Sequence, residues 1–287
     1  MGLFHLVGAV VVLRSAMVLI PAGLLHSSAA PEKREQAKQL EFGWTGPMMN
    51  ASWLFAAAFG SAALGLQLTY PRLWPAGFAM ALLAVYFVLG GVFLNTFKRP
   101  DWAVLPMVDL LRLPHDHVLD VGCGAGRTTL ALARILKEGR ITAFDRFDAS
   151  YIEGGGRELL RRNLDAVGLT PRVSIVQGDI TAMPFANETF DSAVSTHAID
   201  HLGDRTSEGL AEVYRTLKPE SRFLMIVSVP EWTSFGLAAL HSLFSTGKAG
   251  WRALAAEAGF QIVDEGMFNQ TWFLLLGKPG KGSAISS

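Results

Sequence analysis

Apolar residues are arranged in two different ways along this chain. Through about residue 97 they come in long blocks, whereas beyond about residue 117 they come in short runs separated by segments of helical period. Asn50–Tyr70 and Ala76–Phe97 hold 21 and 22 residues without a charged side chain, enough for each to cross the roughly 30 Å hydrocarbon core as a helix. Pro71–Pro75 joins them and is too short for anything but a tight turn. Trp53, Tyr70 and Trp74 lie near the predicted ends, where amphipathic rings favour a membrane interface. The small residues of Ala56–Ala63 and Gly90–Gly91 allow two helices to approach closely. The pattern predicts a helical hairpin in a bilayer.

Gly2–Leu25 is also apolar but carries Arg14 near its centre, which costs about 2.5 to 3.5 kcal/mol on insertion scales. It reads as a third spanning helix, its Val and Leu content offsetting that cost. A cleavable leader ending near Ser28–Ala30 and a helix lying on the surface are the alternatives. Lys33, Arg34 and Lys38 precede the hairpin and Lys98 and Arg99 follow it, while only Arg72 lies in its turn. The positive-inside rule then puts both flanks, and whatever follows, in the cytoplasm. Pro31–Glu41 is a charged run with helical character that reads as a solvated cytoplasmic linker, a helix lying on the headgroups being the alternative.

Composition agrees with a membrane region joined to a globular one. Half of the 287 residues are hydrophobic and only 17% are charged, too apolar for an ordinary soluble domain. Lys plus Arg and Asp plus Glu both number 25, so no overall basic field argues for a nucleic-acid partner. The single cysteine, Cys123, excludes an intrachain disulfide and a cysteine-rich metal site.

From His117 the pattern predicts strands at His117–Val121, Arg140–Phe144, Arg172–Gln177, Ser192–Thr196 and Phe223–Val229. Between them it predicts helices at Thr128–Lys137, at Arg157–Val167 and over a segment ending at Glu212–Leu217. Trp251–Gly259 reads as a last helix, and Gln261–Phe268 and Thr271–Gly277 as an antiparallel pair joined by Asn269–Gln270. Alternating strands and helices of this length make a doubly wound α/β sheet. The predicted organisation is a membrane region to residue 97, a linker with a pre-sheet helix over 98–116, the sheet domain over 117–279 and a flexible tail over 280–287.

The sheet's first strand runs into Asp120-Val-Gly122-Cys-Gly124-Ala-Gly126. Glycines without a Cβ let backbone and ligand approach closely at such a strand-to-helix turn. The spacing is GxGxG and not the dinucleotide GxGxxG, and Asp120 would repel a phosphate while suiting a cationic ligand with a free amino group. Val118–Gly126 resembles motif I of the class I S-adenosylmethionine-dependent methyltransferases, and the resemblance extends over roughly residues 105 to 279. It implies a seven-stranded Rossmann-like sheet closed by an antiparallel hairpin, and S-adenosylmethionine as cofactor. Gly178–Leu202 looks like the variant of that family typified by quinone and sterol C-methyltransferases. Lys218–Ser221 stands where that subgroup commonly has Lys-Pro-Gly-Gly, a tight turn before the fifth strand.

Several cofactor contacts follow. Asp145, about twenty residues beyond the glycine loop, is placed to accept ribose hydroxyls, with Asp148 the substitute if the strand runs longer; Arg146 stands beside it. The resemblance puts Asp179 at the adenine amine and Ile180 against the ring. His197-Ala-Ile-Asp200-His201 follows the fourth strand, at the mouth where acceptors sit in this family. Methyl transfer needs a base only if the acceptor must lose a proton; His197 or His201 would be that base, with Asp200 orienting it or sharing the role. The two histidines would share one face of a helix, but no clear third ligand accompanies them and no metal is predicted.

The chain is thus expected to be a membrane-anchored methyltransferase acting on a small lipophilic acceptor: a quinone, lipid, phenol or thiol. The apolar segment Glu231–Phe244 would either pack on the domain or dip into the bilayer surface to receive it. A membrane-tethered protein that binds S-adenosylmethionine without turnover is the alternative. A nicotinamide oxidoreductase is opposed by Asp120, the glycine spacing and the closing hairpin. The oligomeric state is left open.

Overall fold

The computed structural model describes residues 40–43, 46–96, 105, 109–136, 138–230, 245–268 and 271–280. Gly2–Leu25, the Pro31–Glu41 run up to residue 39, the basic pair Lys98 and Arg99, Glu231–Phe244 and residues 281–287 lie outside them, as does most of the 98–116 linker. Its described residues, 105 and 109–116, are bends, a turn and irregular backbone, and the expected pre-sheet helix is not among them.

Two long helices come first, α1 (Gly46–Thr69) and α2 (Trp74–Thr96), joined through a 3-10 turn at Pro71–Leu73. Each is apolar on all sides, without an acid in its first turn or a base in its last. Both are long and apolar enough to cross a membrane. They pack on each other through the small residues. Gly60 faces Ala84, and a Cβ at Gly91 would come within 2.9 Å of the Trp53 ring. Phe87 stacks on Phe55 and Phe59 with centroids 5.1 and 5.6 Å apart.

The second region is a seven-stranded sheet: β1 (His117–Val121), β2 (Arg140–Asp145), β3 (Val173–Gln177), β4 (Phe190–Thr196), β5 (Leu217–Val227), β6 (Gln261–Phe268) and β7 (Thr271–Gly277). Its order is β3-β2-β1-β4-β5-β7-β6. The first five strands run parallel, and β7 joins antiparallel to both β5 and β6. Helices α3 (Arg127–Ile135) and α4 (Arg157–Ala166) line one face, and α5 (Thr206–Thr216) and α6 (Lys248–Glu257) the other. β1 is sandwiched between them and is buried from Val118 to Val121, as expected of a parallel strand covered on both sides. The order of strand addition reverses at β1, with β2 and β3 laid down on one side of it and β4 and β5 on the other, and ligands of doubly wound sheets bind at the strand ends beside such a switch.

Predicted and observed elements agree closely for β1 and for β6 and β7, whose bounds coincide. The helices begin or end one to several residues from the expected places, within the ordinary uncertainty of helix ends. One expectation is corrected: Lys218–Ser221 is not a tight turn before the fifth strand. β5 already pairs at Leu217 with Phe190 and resumes at Arg222 with Ser192, so Lys218–Ser221 bulge out of a strand that begins earlier. Pro219 has no N–H to lose from the ladder, Glu220 takes a left-handed φ of 61°, and Lys218 reaches Asp191 at 2.6 Å.

Candidate active site

The site is built where β1 and β4 end side by side. Gly122, the first residue past β1, has φ 74°, and a Cβ there would overlap the Ala198 methyl. Only glycine meets both demands, the conformation and the contact. A second glycine turn, Gly154–Gly156, backs the first: a Cβ on Gly156 would lie 2.9 Å from the carbonyl carbon of Gly124. The loop 122–126 is therefore held from both sides by close-packed backbone.

Two acids flank it. Asp120 is fully buried; its Oδ2 accepts a hydrogen bond from Thr129 Oγ1 at 2.5 Å, while its Oδ1 is buried with no hydrogen-bond partner. Burial raises its pKa to about 7, Thr129 opposing and the Asp145 charge adding to the rise. An ionised oxygen in this position is costly unless a donor reaches it. Asp145, at the end of β2, accepts from Gly124 N at 2.8 Å and from Phe147 N at 2.6 Å. Burial raises its pKa too, against the pull of those two N–H groups. One carboxylate at the end of the neighbouring strand thus pins the loop.

The other predicted contacts are placed less uniformly. Ile180 is buried, 3.9 Å from where a Gly122 Cβ would stand, and so belongs to the wall of the loop. Asp179 caps its own 3-10 turn, Oδ1 accepting from Thr181 N at 2.9 Å. Its Oδ2 lies 3.3 Å from Arg205 and 3.8 Å from Arg146, and the Thr181 hydrogen bonds, with the arginines adding, hold its pKa low. Arg146 also pairs with Asp148 at 3.2 Å.

After β4 the chain turns at His197, a non-glycine residue with φ 53°, the sparsely populated conformation that recurs at functional sites. Its N–H donates to Ile226 O at 2.9 Å. The ring Nδ1 stands 3.5 Å from Asp200 Oδ2 and 3.4 Å from Ser228 Oγ. Asp200 is nearly buried, and burial pushes its carboxyl up; hydrogen bonding and charge from His197, the His201 charge and the Ser228 N–H outweigh this, and its pKa is lowered. His197 and His201 do not share a helix face as predicted: His197 precedes the 3-10 turn Ile199–His201. The His201 ring instead lies 6.0 Å from that of Tyr151. Among the described residues no group of three or more His, Cys, Asp or Glu side chains is arranged to hold a metal ion.

Sequence reasoning missed Tyr151, Ser228 and the Gly154–Gly156 turn. The three consecutive glycines were a signal in plain sight. Burial raises the Tyr151 pKa, and the charges of Asp145, Asp200 and Asp148 add to the rise.

Residues 119–225 match the family profile described as a methyltransferase domain. This region is a methyltransferase domain. A demethylmenaquinone methyltransferase of Symbiobacterium thermophilum is 30% identical over 123 residues, 42% of this chain and 46% of its own length. An O-methyltransferase of Pyrenophora dematioidea is 31% identical over 109 residues, 38% of each chain. A ubiquinone/menaquinone biosynthesis C-methyltransferase of Marinomonas sp. is 33% identical over 116 residues, 40% of this chain and 43% of its own. The chain spans about half the length, or less, of the curated relatives it matches. The cofactor of such a domain is S-adenosylmethionine, and the residues present fit it. The unpartnered oxygen of Asp120 suits its ammonium group, Asp145 stands at the strand end where ribose hydroxyls are met, and the glycine loop leaves room for close approach.

Proposed function

We propose that this chain is a membrane-anchored methyltransferase that transfers a methyl group from S-adenosylmethionine to a small lipophilic acceptor such as a quinone, lipid, phenol or thiol. The observation that carries the reading is the combination in one chain of the Asp120–glycine loop–Asp145 wall with a hairpin of two apolar helices. Leu54, Leu64 and Leu68 of that hairpin are 70%, 62% and 73% exposed, and a soluble protein rarely leaves so large a contiguous apolar surface uncovered. A bilayer covers it and concentrates an acceptor that partitions there. By its basic flanks the hairpin holds the domain in the cytoplasm.

When bound, S-adenosylmethionine supplies an electrophilic methyl on a sulfonium whose leaving group is a neutral thioether. The chain has then to bind and orient, exclude water and, for an acceptor with an O–H, S–H or acidic C–H, take a proton. Asp120 and Asp145 hold the cofactor; Asp179, Ile180 and Arg146 border its adenosine. His197 takes the proton, because Asp200 and Ser228 both face its Nδ1 and leave the other ring nitrogen for the acceptor. Asp200 keeps the imidazole oriented and stabilises its charged form. His201 and Tyr151 line the mouth. Relatives described both as C- and as O-methyltransferases support the reaction class, not a particular acceptor atom.

The test is membrane extract from cells with and without the chain, incubated with isotopically labelled methyl donor and followed by mass spectrometry. A lipid-soluble product heavier by one CH2 and carrying the label is expected. Label confined to water-soluble products would overturn the lipophilic acceptor, and binding of the donor without any product would favour the tethered binding protein.

A further inference from the structure

The residues leading into the apolar hairpin are packed against the glycine loop. Asn163, on α4 and 2% exposed, uses its whole amide for this. Its Nδ2 donates to Glu41 O at 2.8 Å and to Ala125 O at 2.9 Å, and its Oδ1 accepts from Glu41 N at 3.0 Å. One side chain therefore pairs with the backbone of a segment 122 residues away while holding a carbonyl of the loop itself. The contacts on either side agree. Phe42 is buried with the Arg127 guanidinium 4.7 Å over its ring, and Arg127 opens α3 directly after Gly126. Gly43 O accepts from Glu153 N at 2.6 Å, at the start of the second glycine turn. Helix α1 begins three residues later, at Gly46.

We infer that Asn163 is a positioning residue for the cofactor loop, and that Glu41–Gly43 is a strap through which the apolar hairpin is coupled to S-adenosylmethionine binding. A buried amide that satisfies three backbone groups at once leaves all three wanting when it is removed, which is costlier than losing an exposed contact. The loop carbonyl of Ala125 and the strap lose their partner together, so the loop is freed at the side away from Asp145. The inference rests on the proposed cofactor reading for its binding consequence, but its structural consequence is measurable without any ligand.

The experiment uses the full chain in detergent or nanodiscs, comparing wild type with Asn163→Ala and Phe42→Ala. Hydrogen exchange of the ligand-free protein is read over residues 122–127, and affinity for S-adenosylmethionine and S-adenosylhomocysteine is measured by calorimetry. For Asn163→Ala, exchange of the loop amides is expected to accelerate while β5 and β7 keep their protection, and affinity to fall about ten-fold. The KM for the methyl donor should rise with kcat unchanged; a merely structural defect would lower the active fraction, and so kcat, and leave KM alone. Phe42→Ala keeps every hydrogen bond of Asn163 and should move loop exchange and affinity in the same direction by less, which decides the matter if Asn163→Ala does not fold. Loop exchange and affinity within two-fold of wild type in the folded variants would overturn the inference. Failure of the wild type to bind either nucleoside would overturn the cofactor reading, and the ligand-free exchange would still decide on the strap.

Discussion

The apolar hairpin and the sheet domain are built from similar residues with opposite results. In the domain Leu119, Leu132 and Leu160 are fully buried, each strand face being covered by helices. In the hairpin Leu54 and Leu68 are mostly exposed, because two helices that are apolar all round can bury only the narrow seam where they meet. The domain supplies its own apolar surroundings and can hold a charged group such as Asp120 inside them. The hairpin leaves the apolar side chains on its outer faces exposed. The family profile follows the same division: it matches residues 119–225 and does not reach the hairpin.

Four measurements sharpen or break this contrast, the largest effect first. Gly122→Val places a β-branched side chain at a left-handed φ and into Ala198; cofactor binding should fall below detection in calorimetry while the helical signal of the hairpin persists. His197→Ala should lower kcat by about a hundred- to ten-thousand-fold with little change in donor affinity. A ten-fold loss or less would mean that the acceptor needs no base from this residue. Leu119→Ala should cost the domain about 2–5 kcal/mol in chemical denaturation, whereas Leu68→Ala, in detergent, should change it by less than about 0.5 kcal/mol. Equal costs would mean that the hairpin packs on the domain as a soluble helix pair.

The smallest effect is the pH dependence set by Asp120. Its folded pKa is raised from 3.8 to about 7, so the ligand-free protein keeps a proton there that the unfolded chain has released. Between those values stability should fall as pH rises, by no more than about 1.4 kcal/mol per unit from this group. A cationic donor binds the ionised form, so its affinity should grow by up to about ten-fold per pH unit until about pH 7 and then level off. Asp120→Asn should flatten the affinity profile, and an unchanged slope would detach the cofactor ammonium from Asp120.

Much of the site was legible because its signals are local. Strand period, three alternating glycines and acids at the strand ends marked β1, the loop and the Asp145 position. They did so because backbone conformation and strand burial are set by a few neighbouring residues. The closing β6–β7 pair was equally plain, its two runs being separated by only two residues, Asn269 and Gln270. The bulge at Lys218–Ser221 was not, since a turn and a bulge draw on the same residue types and differ in which partner strand resumes the pairing. Helical spacing suggested that His197 and His201 share a face; the left-handed backbone at His197, held by its hydrogen bond to Ile226, sends them apart.

Local signals in the chain were enough to mark the two regions, the order of strands and helices and the glycine loop with its flanking acids. Only the folded chain shows that Asp200 and Ser228 face His197, that Tyr151 stands beside His201, and that Asn163 joins Glu41 to Ala125. The physical reason is range. Periodicity and turn chemistry act over a handful of residues, whereas Asn163 and Glu41 are 122 residues apart and meet only after α4 has packed beside α3 on one face of the sheet.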